Sequence, residues 1–108
     1  MTQRTDEDRD ERIVVRIDAH LEGLIPKFLK SKYADVTAVL EAMNRGDYEA
    51  IRIIAHKMRG SGGGYGFDAI SEIGSSLEQG AKERNNDTIE QWAGKLRSYL
   101  NRVVVVFD

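Results

Sequence analysis

In four separate stretches of this chain apolar residues recur at spacings of three and four, the pattern of helices that each bury one face. The first stretch carries Ile25, Phe28, Leu29, Tyr33, Val36, Val39, Leu40 and Met43. Pro26 falls in its first turn, where a missing N–H costs least. Gly46 is placed as a stop and Asp47 as the cap of the next helix, which turns Tyr48, Ile51, Ile54, Ala55 and Met58 inward. The glycine-rich run Gly60 to Gly66 breaks the pattern. A third stripe follows with Phe67, Ile70, Ile73, Gly74, Leu77 and Ala81. Asn85-Asn86-Asp87 reads as a turn, with Asp87 and Glu90 at capping-box spacing. The last stripe is Ile89, Trp92, Ala93, Leu96, Tyr99, Leu100 and Val103, and Trp92 reads as core. Four amphipathic helices with short connections predict an all-α fold, an antiparallel four-helix bundle. At 108 residues the chain suits one such domain.

The two ends are less regular. Residues 1–12 hold five acids, three arginines and Met1 as their single apolar residue, so a flexible charged tail is expected there, followed by one domain over residues 13–108. Ile13 to Ile17 and Val103 to Phe107 are both β-branched runs. They could pair as a small two-stranded ribbon closing the bundle, or the second could continue the last helix. Without cysteine there is no disulfide framework, thiol nucleophile or cysteine-based zinc site. No apolar run approaches the length of a membrane span, and Met1 to Asp6 does not read as a signal peptide, so a cytoplasmic protein without membrane contact is expected. A net charge of −2 gives no basic field for nucleic acid. Lys27, Lys30 and Lys32 read as solvated surface.

Chemistry narrows to two histidines. His20 sits in a polar stretch before the first long helix and reads as a surface residue. His56 shares the outward stripe Glu49, Arg52, His56, Arg59, Gly60, Gly63, while Ala55, Ile51 and Met58 point inward. Four, seven and eight residues beyond it stand glycines, and Lys57 and Arg59 flank it with positive charge. Each glycine inside a helix costs roughly 1 kcal/mol relative to alanine. A bundle needing stability alone would use alanine, so the glycines point to close approach by another molecule or another backbone. Nucleotide binding fails on spacing: the third glycine of a dinucleotide fingerprint would fall on Tyr65 or Phe67, and a P-loop ending at Gly94-Lys95 would need glycine where Ile89 stands. A metal-binding bundle lacks a second histidine or a Glu-x-x-His pair, residue 53 being isoleucine.

The segment Ala55-His56-Lys57-Met58-Arg59-Gly60-Ser61-Gly62-Gly63-Gly64-Tyr65-Gly66-Phe67, with Leu77-Glu78 one helix later, resembles the signature of the histidine-containing phosphotransfer (HPt) family. In that family a histidine is followed by a basic residue at the third place, a glycine at the fourth and a run of small residues. The resemblance implies that His56 is the phospho-acceptor, through Nε2. Arg59 takes the place usually held by lysine, keeping charge and changing geometry. Gly60 and Gly64 would give a receiver domain room to approach. On the facing helix Ser71, Ser75, Glu78 and Lys82 are expected to form an outward stripe, with Ser75, Glu78 and Lys82, alongside Lys57, touching the phosphoryl group or the partner. Glu78 stands where relatives often carry glutamine, and its role is open. The implied partners are response-regulator receiver domains and hybrid histidine kinases, met by a monomer. No cofactor is implied for this chain, and Mg2+ is expected on the partner receiver domain. The chain would be a phosphocarrier without kinase activity of its own. The alternatives are phosphorylation by a kinase acting in trans from ATP, and a helical module that docks receiver domains without chemistry.

Overall fold

A computed structural model describes residues 11–108. Strand β1 (Ile13–Ile17) leads through a 3-10 turn at Ala19–Leu21 into α1 (Ile25–Asn44), α2 (Tyr48–Gly64), α3 (Asp68–Lys82) and α4 (Asn86–Arg102), and β2 (Val103–Phe107) closes the chain. Successive helices pack on one another and α4 returns to pack on α1, so the four enclose one core. Short connections force neighbours to run antiparallel. Ile51, Met58, Phe67, Ile70, Leu77, Ile89 and Leu96 are fully buried at its centre. The α2–α3 contact is the most extensive of the bundle, and it carries the site described below.

Helix ends follow local chemistry. Asp47 caps α2 by accepting from the Ala50 N–H at 3.0 Å. Asn85 caps α4 through the Thr88 N–H at 3.1 Å, so the cap lies two residues before Asp87, which stands instead in the first turn. At the end of α1 the Asp47 N–H reaches Ala42 O and the Gly46 N–H reaches Met43 O, with Gly46 at φ +71°. The end of α2 repeats the motif around Gly66 at φ +93°, and α3 repeats it with Arg84 at φ +52°. Such paired bonds satisfy the last free carbonyls of a helix and demand a left-handed residue.

Four expectations change. The glycine run does not break the second helix, which continues through Gly64. Lys32 is buried rather than solvated, because its ammonium pairs with Asp35 Oδ2 at 2.8 Å and stands 5.2 Å from the centre of the Phe28 ring. Trp92 is half-buried, packed at the edge of the core under Lys95. The phenol of Tyr33 is also outside the core, donating to Asn101 Oδ1 at 2.7 Å.

The ends do pair, as a parallel ribbon in which Ile13 faces Val103 and Ile17 faces Phe107. Parallel strands need a long crossover, and here the whole bundle supplies it. Of the tail expected over residues 1–12, residues 1–10 lie outside the described residues; Glu11 pairs with Arg102 at 3.2 Å.

Candidate functional site

His56 stands on the middle turns of α2 with its side chain 59% exposed. The helix angle that buries Ala55 and Met58 on either side of it turns the imidazole outward. Its Nδ1 lies 3.3 Å from Glu78 Oε2 on α3. A carboxylate can only accept, so in the neutral ring this contact favours the Nδ1–H tautomer, whose lone pair is on Nε2. Arg59, one turn beyond His56, brings Nη1 to 3.3 Å from the other oxygen of the same carboxylate, as an ion pair without the alignment of a hydrogen bond.

Glu78 corrects the sequence reading. It belongs to the buried set, its side chain 8% exposed, and does not project outward with Ser75 and Lys82. The cause is the closeness of α2 and α3. A β-carbon on Gly74 would come within 2.7 Å of Arg59 N and 2.9 Å of Ala55 O, and one on Gly62 within 2.7 Å of Ser71 N. With no side chain at either position the two backbones meet, and the Glu78 carboxylate is drawn under the imidazole and the guanidinium. There it meets one cation, the Arg59 guanidinium, and one ring nitrogen, His56 Nδ1. Ser71 also leaves the expected outward stripe, its hydroxyl bonded across the seam to Arg59 O and Gly63 N–H.

The remaining expected residues surround this group without touching it. Gly60 and Gly64 are exposed and would meet nothing within 4 Å if given a β-carbon, so a bare surface lies one and two turns past the imidazole. Lys57, Ser75 and Lys82 are exposed, and no hydrogen bond or ion pair joins them to His56. Lys57 and Lys82 therefore remain available as cations. Arg52 shares the stripe one turn before His56. It donates twice to Glu49, at 3.1 and 2.7 Å, which holds that carboxyl below the usual carboxylate range, and it also feels the charge of Glu78. Ile53, three residues before His56, is 44% exposed. Nothing in the helical period distinguishes Ile53 or Arg52 from ordinary surface. His20, by contrast, is an isolated surface histidine, 93% exposed and paired with Asp18 at 2.8 Å.

Among the described residues no group of three or more His, Cys, Asp or Glu side chains is placed to hold a metal ion, and no helix is long and apolar enough to cross a membrane. What the site offers is one accessible, oriented ring nitrogen beside cations and uncovered backbone. A family model described as Hpt domain matches residues 23–104 of the chain. No curated protein and no solved structure matches it.

Proposed function

The chain belongs to the Hpt domain family, and from that premise we propose that His56 accepts a phosphoryl group from a receiver-domain aspartate and passes it to another receiver aspartate in two-component signalling. The observation that carries the reading is the pairing of Nδ1 with buried Glu78, which leaves an exposed Nε2 beside the open surface of Gly60 and Gly64.

In the step we propose, the Nε2 lone pair attacks phosphorus in line. The P–N bond forms as the P–O bond to the aspartate breaks, and the carboxylate leaves with that electron pair. The ring becomes an imidazolium still carrying its Nδ1 proton, and Glu78 faces that new positive charge. Return transfer is the reverse, with neutral imidazole as the leaving group. No net proton transfer is needed in either direction. The phosphoryl group brings a charge of about −1.5 to −2, by analogy with other phosphorylated side chains. Lys57 and Lys82 would meet it directly, and Arg59 by turning from Glu78. Such transfers depend mainly on positioning and electrostatics. The Mg2+ ion of the aspartyl-phosphate site is assigned to the partner. Gly60, Gly64, Ser75 and Ile53 would form the docking surface of a monomeric, cytoplasmic phosphocarrier with no kinase activity of its own.

The test is incubation with a phosphorylated receiver domain. Wild type is expected to take up label while His56→Gln, whose side chain is exposed and not part of the core, stays folded and unlabelled. ATP alone is expected to label neither. Labelling of His56→Gln to the wild-type level would remove His56 from the reaction, and an unlabelled wild type that still binds the receiver would leave docking as the function.

A further inference from the structure

Two backbone groups of α2 are bridged by a side chain from α3. The Ser71 hydroxyl donates to the Arg59 carbonyl oxygen at 2.5 Å and accepts from the Gly63 N–H at 2.7 Å. Arg59 C=O and Gly63 N–H are four residues apart, the two members of one rung of a helix's own ladder. The hydroxyl thus enters the hydrogen bonding of the helix that carries His56, one turn beyond the imidazole. A side chain inserted at a rung alters the course of a helix at that point. Gly62 makes room for it: Ser71 N lies 2.7 Å from where a β-carbon on Gly62 would stand, and Ser71 Oγ 3.0 Å.

Ser71 and Glu78 lie two turns apart on α3 and grip the same residue of α2. Ser71 holds the carbonyl oxygen of Arg59, and Glu78 holds its guanidinium while also facing His56 Nδ1. We propose that Ser71 is a positioning residue for phosphoryl transfer at His56, an inference that rests on the phosphotransfer reading. By fixing the Arg59 backbone it fixes the helix–helix spacing at which one carboxylate serves both the imidazole and the guanidinium. It also sets the shape of the surface at Gly60, Gly63 and Gly64, which carry no side chains of their own to hold it.

The experiment follows imidazole 15N shifts and receiver-to-His56 transfer in wild type, Ser71→Ala and Ser71→Cys, with Ser76→Ala on the same helix as control. In Ser71→Ala the fraction of the Nδ1–H tautomer of His56 is expected to fall. Transfer at saturating receiver is expected to slow about tenfold, the size of one lost hydrogen bond, with KM for the receiver unchanged. Ser71→Cys keeps the volume but weakens both bonds. It should fall between, and it gives a reading should the alanine variant not fold. Ser76→Ala should match wild type. If the tautomer ratio and rate of the Ser71 variants equal those of wild type, the inference is overturned, even where the melting temperature drops, because the role is then purely structural. A wild type that takes no phosphoryl group overturns the phosphotransfer reading, and this inference with it.

Discussion

Glu78 is the residue on which the site turns. Its carboxylate is nearly enclosed, yet it faces two cation-forming groups, the imidazole at 3.3 Å and the Arg59 guanidinium at 3.3 Å. Glutamine at this position would keep the shape and one acceptor oxygen for Nδ1–H but lose the charge. In the proposed transfer a positive ring develops beside it, and a hydrogen bond to a charged group contributes about 1.5–3 kcal/mol. Glu78→Gln is therefore expected to slow phosphorylation of His56 by roughly ten- to a hundredfold, read in single-turnover mixing with a phosphorylated receiver. A wild-type rate in that variant would mean that the carboxylate serves the fold and not the reaction. Glu78 also shows what helix angles leave out. Periodicity places it beside the face of Ser75 and Lys82, and it says nothing of how near the neighbouring helix comes.

That nearness is written at the level of the element, in small residues whose meaning emerges once α2 and α3 are paired. Gly66 ends α2 at φ +93°, and a β-carbon there would lie 2.8 Å from Ile17 Cδ1. Gly66→Ala is expected to lower stability by about 2–5 kcal/mol, the sum of left-handed strain and overpacking against β1. The measurement is the midpoint of urea unfolding, and an unchanged midpoint would contradict it. The helical stripes from Ile25 to Leu100 were legible because their burial repeats with the helical period, and Gly46 with Asp47 marked a boundary through ordinary stop-and-cap chemistry. The run Gly60 to Gly66 reads as a break because glycine disfavours helix in isolation. It stays helical through Gly64 because tertiary contacts override propensity: Ser71 bridges a rung, and Tyr65 stacks on Phe28 with ring centres 4.4 Å apart. Lys32 escaped for a similar reason, since its burial depends on Asp35 and Phe28 lying together on the folded helix. The candidate acceptor itself was legible, because an outward histidine followed by glycines at the fourth, seventh and eighth positions has little reason to exist in a bundle built for packing.

On the scale of the whole molecule the fold separates holding from presenting. The core lies between all four helices, and the parallel ribbon ties the two ends together from Ile13–Val103 to Ile17–Phe107. The α2–α3 pair, joined along its glycine seam, presents the imidazole on a surface whose shape does not depend on long side chains. A receiver domain would therefore meet a preformed site, and the chemistry would hinge on which ring nitrogen is free. The direct measurement is 15N–31P correlation on the full chain, 15N-labelled at histidine and phosphorylated by a receiver domain. Phosphorus coupled to Nε2 of His56, with the proton retained on Nδ1 beside Glu78, is the expected result. Phosphorus on Nδ1, on His20 or on any residue other than His56 would contradict it.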